Sequence, residues 1–174
     1  MSDQTGRTRQ PLIFLDVDGT LLPLDPAEPF DAGRDWAAWQ DPGNPRLRHV
    51  DRSYGRRLLA LPAELLWATG WMHDANRVIA PLIGLPRLPV VELPAWQSDY
   101  GGDGLHWKTR VLVEHAEGRP FAWLDDELTD RDRAWVARHH AGPALLHRVD
   151  SRPGLTAADL AAVEAWLAAP EVAP

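Results

Sequence analysis

Short apolar runs, each stopped by a carboxylate, a Gly or a Pro, recur along the chain and alternate with longer stretches of helical periodicity. The first run, Leu12 to Leu15, ends at two carboxylates one residue apart, Asp16 and Asp18, followed by Gly19-Thr20. A run this short between Pro11 and a turn signal predicts a strand buried on both faces, as in a parallel sheet. Leu65-Leu66-Trp67-Ala68 repeats the pattern and ends at Thr69-Gly70. Leu88 to Leu93 predicts a third strand, Phe121 to Leu124 a fourth that ends in Asp125-Asp126-Glu127, and Ala144 to His147 a fifth. Between them, Val78, Ile79, Leu82 and Ile83 mark a helix that Pro81 can kink and Gly84 ends. Another helix opens at Lys108 and carries Val111 and Leu112 toward Gly118. Thr129 with Asp132, and Thr156 with Asp159, have capping-box spacing. The first of these helices runs to His139-His140, placed by the pattern in a solvated last turn, and the second carries Leu160, Val163 and Leu167 on one face. Strands alternating with helices predict an α/β fold: a three-layer, doubly wound (Rossmann-like) parallel sheet of about five strands with helices on both faces.

A chain of 174 residues matches one domain with a full core. Residues 1–10 read as a disordered tail, 11–169 as a single domain and 170–174 as a second tail. Within the domain, residues 21–50 are rich in Pro, Asp and Gly and read as a short flap, with Phe30, Trp36 and Trp39 its large apolar side chains. Five Arg fall in the twelve residues from Arg46 to Arg57, which lead into a helix ending near Leu61-Pro62. Such a run is most often a solvated face.

Charge and composition narrow the chemistry. A net charge of −7 argues against general nucleic-acid or anionic-membrane binding. With no Cys, disulfides and thiolate metal sites are excluded, so a metal must be held by oxygen or imidazole. The polar N-terminus has no apolar h-region, and no run approaches a membrane span, so a cytoplasmic protein is expected. Nine Trp are expected mainly in packing. Seventeen of the 18 basic residues are Arg, leaving Lys108 as the only Lys. A site that needs a compact ammonium would not accept a planar guanidinium.

Candidate chemistry follows from position. Ligands of open α/β sheets lie beyond the carboxyl ends of the strands, where Asp16 and Asp18 fall. An unpaired charge at Asp16 would be costly to bury, so turn chemistry alone does not explain it. Gly19 allows the chain to leave the strand in a conformation barred to other residues and leaves room for a close-lying ligand. Thr69 is predicted at a strand-to-helix junction, either favouring an anion or satisfied by local turn hydrogen bonds. Lys108 in a first helical turn opposes the helix dipole, a conflict that a bound anion would resolve.

Asp16-x-Asp18-Gly19-Thr20 after an apolar strand, then Thr69, Lys108 and the pair Asp125-Asp126, resembles in order the four motifs of the haloacid dehalogenase-like (HAD) phosphohydrolases, across residues 12–127. The resemblance implies a phosphatase that hydrolyses a phosphomonoester through an aspartyl-phosphate on Asp16. Asp18 would be the general acid/base, while Thr69 and Lys108 would hold phosphoryl oxygens. Converging carboxylates repel without a cation, and a hard divalent ion with oxygen ligands, Mg2+, suits them. By the resemblance its ligands are the Asp16 carboxylate, the Asp18 backbone carbonyl and an Asp of the pair. Asp125 is favoured as the direct ligand, with Asp126 direct or through water. A phosphomutase, or a catalytically idle HAD-like binding module, shares the same motifs. A response-regulator receiver has a different motif order, and a HAD dehalogenase lacks the second Asp. The short span before the second strand leaves no room for a large lid, which implies a capless or minimal-cap type. Capless members act on large substrates or recruit a neighbouring subunit as lid, so a small or macromolecular substrate and a homo-oligomer both stay open. Trp36 and Trp39, or the glycine loop near Gly101, could close over a small substrate. Arg46 and Arg48 could contact its part beyond the phosphate.

Overall fold

β1 (Leu12–Leu15) is the strand around which the molecule is layered, and none of its four side chains reaches solvent. It pairs in parallel with β2 (Glu64–Trp67) on one side and β3 (Phe121–Asp125) on the other, and β3 pairs with β4 (Ala144–Arg148). The sheet order is therefore β2-β1-β3-β4, all parallel. This computed structural model describes residues 10–24, 35–94 and 104–172. The predicted N-terminal tail up to residue 9, the flap residues around Phe30 and the Gly101-Gly102 stretch lie outside the described residues.

Alternation along the strands divides the apolar residues into two cores, because successive side chains point to opposite faces. Ile13, Leu15, Leu65, Trp67 and Leu124 face one side, where they meet Leu58, Ile79, Ile83, Leu160, Val163 and Leu167. Leu12, Phe14, Leu66, Phe121, Trp123 and Leu146 face the other and meet Leu112, Ala116 and Val136. The first face is thus covered by α2 (Tyr54–Leu59), α3 (Ala80–Ile83) and α6 (Ala157–Leu167). The second is covered by α4 (Thr109–Ala116) and α5 (Asp130–His139). This is the expected three-layer arrangement.

Among the described residues four strands form where about five were expected. Leu88 to Leu93 contributes a single parallel bridge, Val90 to Trp67. Pro89 has no N–H to donate to a ladder, which confines this run to an edge contact. Its carbonyl accepts from Trp67 N, and Val91 N donates to Trp67 O, both at 2.9 Å. Pro81 does not break its helix. It falls in the first turn of α3, where the missing N–H costs no intrahelical bond. The preceding turn, Ala75–Ile79, widens to π geometry, with the Ala80 N–H donating to the Ala75 carbonyl.

Both capping boxes form: Thr129 with Asp132 opens α5, and Thr156 with Asp159 opens α6. His139 is exposed and stacks on Trp135, as a last-turn residue should. His140 departs from that expectation. It is buried, its ring meets Phe121 edge-on, and Nε2 pairs with the Arg119 carbonyl at 2.9 Å. The chain also packs further than the pattern predicts, since Val172 is buried in the first core. Between β1 and β2 the described chain forms only α1 (Trp36–Trp39), a 3-10 turn at Pro45–His49, and α2. Among the described residues no helix is long and apolar enough to cross a membrane.

Candidate active site

Register places the two acidic motifs side by side. Leu15 of β1 is aligned with Leu124 of β3, so Asp16 emerges from the sheet beside Asp125. Asp125 is fully buried and Asp16 nearly so. Two carboxylates at this depth would repel, and Lys108 lies between them. Its Nζ donates to Asp16 Oδ1 and to Asp125 Oδ2, each at 2.8 Å, while its stem is buried at the entrance to α4. The ammonium also lies 5.4 Å from the Trp107 ring centroid.

One positive charge cannot neutralise two carboxylates, and the structure divides it unequally. Asp125 also accepts from Trp123 Nε1 at 3.1 Å and from the Glu127 backbone N–H at 3.0 Å. Burial pushes its carboxyl upward, but Lys108, His106 and the Glu127 N–H outweigh that and hold it below the usual carboxylate range. The Asp16 carboxylate accepts from Lys108 alone among the described residues, while its backbone N–H donates to the Leu124 carbonyl. Burial, reinforced by the charges of Asp125 and Asp18, raises it well above the ordinary value despite the ammonium. For Lys108, burial works against the charged form, yet the two carboxylates win and raise its pKa.

Asp126 faces the cavity rather than the sheet. Burial, then the charges of Asp125 and Glu127, push it up to about 7. Its carboxylate occupies the space a Cβ would need at Gly19, whose φ is +71°. Only glycine permits both the turn after β1 and this approach. Asp16, Asp125 and Asp126 each offer an oxygen within 4.8 Å of the others. Hard oxygen donors with two of three carboxyls held upward in pKa fit a divalent cation, which would relieve the surplus negative charge.

Above these groups lies a cavity of about 380 Å³, lined by Asp16, Asp18, Lys108 and Asp126 at its base and by Leu24, Trp36, Gln40 and Trp107 on its walls. Sequence reasoning named the first four. Thr69 is also near, buried two residues beyond β2, but Gly70 rather than Thr69 lines the cavity. The Thr69 hydroxyl accepts from the Trp71 N–H at 3.2 Å, and turns precede the next helical segment at Ala75. The turn reading of Thr69 therefore describes its hydrogen bonding in this structure. Arg46 and Arg48 do not line the cavity: the Arg46 guanidinium lies 5.6 Å from the Trp39 ring centroid, and Arg48 Nε donates to His49.

Several contributors escaped the sequence reading. His106 Nδ1 accepts the Lys108 backbone N–H at 3.3 Å, and its Nε2 lies 3.3 Å from Glu127 Oε2. His106 thus props the Lys108 turn, and with Asp125 and Glu127 it also offers ligand atoms within 4.8 Å of one another. Asp132, recognised as a cap, also accepts from the His106 backbone N–H (2.8 Å) and from Thr109 Oγ1 (2.7 Å). It thus ties the start of α4, and with it Lys108, to the start of α5. Asp18 accepts from two indoles, Trp39 Nε1 at 2.7 Å and Trp71 Nε1 at 2.9 Å. Trp71 falls two residues after Thr69, but nothing in the sequence pairs either indole with Asp18.

No family model matches this sequence, and no curated protein matches it. Solved structures do. The HAD domain of the effector protein Lem4 from Legionella pneumophila superimposes with a TM-score of 0.54 at 12% identity, covering 92% of this chain and 95% of that one. An inactive mutant of the same domain gives a TM-score of 0.55 at 11% identity, covering 92% and 93%. At such identity the likeness concerns the backbone path. The chain has a HAD-like fold.

Proposed function

We propose that the protein is a Mg2+-dependent phosphatase of the minimal-cap HAD type, acting on a phosphomonoester through a covalent phosphoryl group on Asp16. The observation that carries this reading is the Asp16 carboxylate at the end of the central strand, open to the cavity and 2.8 Å from the Lys108 ammonium. A carboxylate so placed is a nucleophile held at a fixed point beside a fixed positive charge, which is what phosphoryl transfer asks of a protein.

In the first step an Asp16 oxygen attacks phosphorus, the bond from phosphorus to the ester oxygen breaks, and Asp18 gives that oxygen a proton. An alcohol leaves and Asp16 holds the phosphoryl group as a mixed anhydride. In the second step Asp18, now ionised, takes a proton from water as its oxygen attacks phosphorus. Inorganic phosphate leaves and both carboxyls return to their starting states. Lys108 neutralises the transferred oxygens from the nucleophile's side, and Thr69, buried beside the cavity-lining Gly70, would hold a further phosphoryl oxygen. Asp16 and Asp126, with Asp125 beneath and the Asp18 carbonyl, would hold Mg2+, which supplies charge neutralisation for the phosphoryl oxygens when bound. Trp36 and Trp107 give the cavity flat apolar walls, and its volume suits a small ester with a planar leaving group.

The test is a screen of small phosphomonoesters with Mg2+ and with EDTA, for the wild type and Asp16→Asn. Turnover that needs the metal and is lost in Asp16→Asn, with the fold intact by circular dichroism, is expected. Full turnover in EDTA, or in Asp16→Asn, would contradict the reading.

A further inference from the structure

The Asp18 carboxylate is held at both oxygens by side chains from two separate elements. Trp39, at the end of α1, donates to Oδ1 at 2.7 Å, and Trp71, in the turn after β2, donates to Oδ2 at 2.9 Å. Both rings are almost wholly buried. An indole N–H is a donor only, so it fixes Asp18 as the acceptor and cannot itself relay a proton. Indoles also have only two side-chain torsions, and both are packed here, so the plane of the carboxylate is set by rigid neighbours. Asp18 also lines the cavity, so the clamped carboxylate stands at the cavity surface.

Trp39 is itself anchored. Its carbonyl accepts from Asn44 Nδ2 at 2.8 Å, and the Arg46 guanidinium lies over its ring. Trp36, earlier in the same short helix, forms part of the cavity wall. One four-residue helix therefore touches both the cavity wall, through Trp36, and Asp18, through Trp39.

We infer that Trp39 and Trp71 are positioning residues that orient Asp18 for proton transfer, with α1 linking that orientation to occupancy of the cavity wall. The catalytic consequence rests on the phosphatase reading; the clamp itself rests on geometry alone. Proton donation matters most when the departing oxygen is basic, so loss of a clamp should slow alkyl phosphates more than aryl phosphates.

Trp39→Phe and Trp71→Phe keep a ring and remove the N–H. For each, kcat on glycerol phosphate is expected to fall about tenfold or more, and kcat on p-nitrophenyl phosphate to stay within about twofold, with KM nearly constant. In a 1H–15N spectrum the same variants assign two of the nine indole signals. Asp18→Ala, which removes both acceptors, is expected to move those two signals. It should leave those of Trp67 and Trp123, bonded to Asn76 and Asp125, in place. Equal slowing of both esters would overturn the positioning role, and unmoved Trp39 and Trp71 signals in Asp18→Ala would overturn the clamp. If the wild type hydrolyses neither ester, the phosphatase reading falls, and the indole signals still decide the clamp.

Discussion

Lys108 carries one positive charge between two buried carboxylates, and the consequences can be measured separately for function and for stability. Replacing it by Arg keeps the charge but brings a larger, planar group with a differently aimed fork. Lys108→Arg is expected to lose most of the kcat on any phosphomonoester, on the order of 100-fold, whereas near wild-type turnover would make the ammonium dispensable. Lys108→Ala leaves Asp16 and Asp125 facing each other and is expected to lower unfolding free energy by about 3 kcal/mol, read by denaturant titration. Asp126 carries a pH signature. Its folded pKa of about 7 lies above that of an exposed carboxyl, so the metal-free protein loses stability through Asp126 as pH rises from about 4 to about 7. Asp126→Asn should therefore be neutral near pH 4 and stabilise the metal-free protein above about pH 7. The gain is on the order of 2 kcal/mol after allowance for partial solvent access. In Mg2+ the order is expected to reverse, because the wild type then gains a ligand that Asn replaces poorly. The acidic and basic members of the site were legible in the sequence because strand ends and motif order fix them. The indoles on Asp18 and the imidazole under Lys108 were not. Those partnerships join residues far apart in the chain, and nothing in a Trp or His codon position says which oxygen it will meet.

At the scale of elements, the site depends on how α4 and α5 begin. Asp132 closes the α5 capping box and also receives two hydrogen bonds from the entrance to α4. Burial raises its carboxyl, but the donors from Thr129, His106 and Thr109 outweigh that and lower it, so its contribution is present at neutral pH and fades as pH falls through the acid range. Asp132→Ala is expected to cost about 2–4 kcal/mol near neutral pH, more than a cap alone, and to reduce kcat by displacing Lys108. A loss near 1 kcal/mol with kcat unchanged would confine Asp132 to capping. On the opposite face, a Cβ on Gly55 would collide with the Ile83 carbonyl, so α2 and α3 touch through backbone. Gly55→Ala should lower stability by about 1–3 kcal/mol through separation of the two helices. Element type was readable where side-chain spacing is decisive, as in both capping boxes and the four strands that form. It failed at Leu88 to Leu93, where β propensity gave way to two prolines at positions 89 and 94, and at His140, where a tertiary contact with Phe121 overrode the solvated end of α5.

Across the whole molecule, a sheet ordered β2-β1-β3-β4 puts the ends of β1 and β3 side by side, and Asp16, Asp18, Lys108 and Asp126 line the cavity above that junction. The backbone likeness to the Lem4 HAD domains at 12% and 11% identity fits this view, since a fold of this kind is specified by where apolar runs stop rather than by which apolar residues fill them. The direct test of the mechanism is the location of the phosphoryl group during turnover. Acid quenching of the Mg2+-loaded protein with a turned-over phosphomonoester, followed by peptide mapping by mass spectrometry, is expected to place the adduct on Asp16. An adduct on Asp18 or on a His, or turnover with a fully unmodified Asp16 under conditions that trap aspartyl-phosphates, would contradict it.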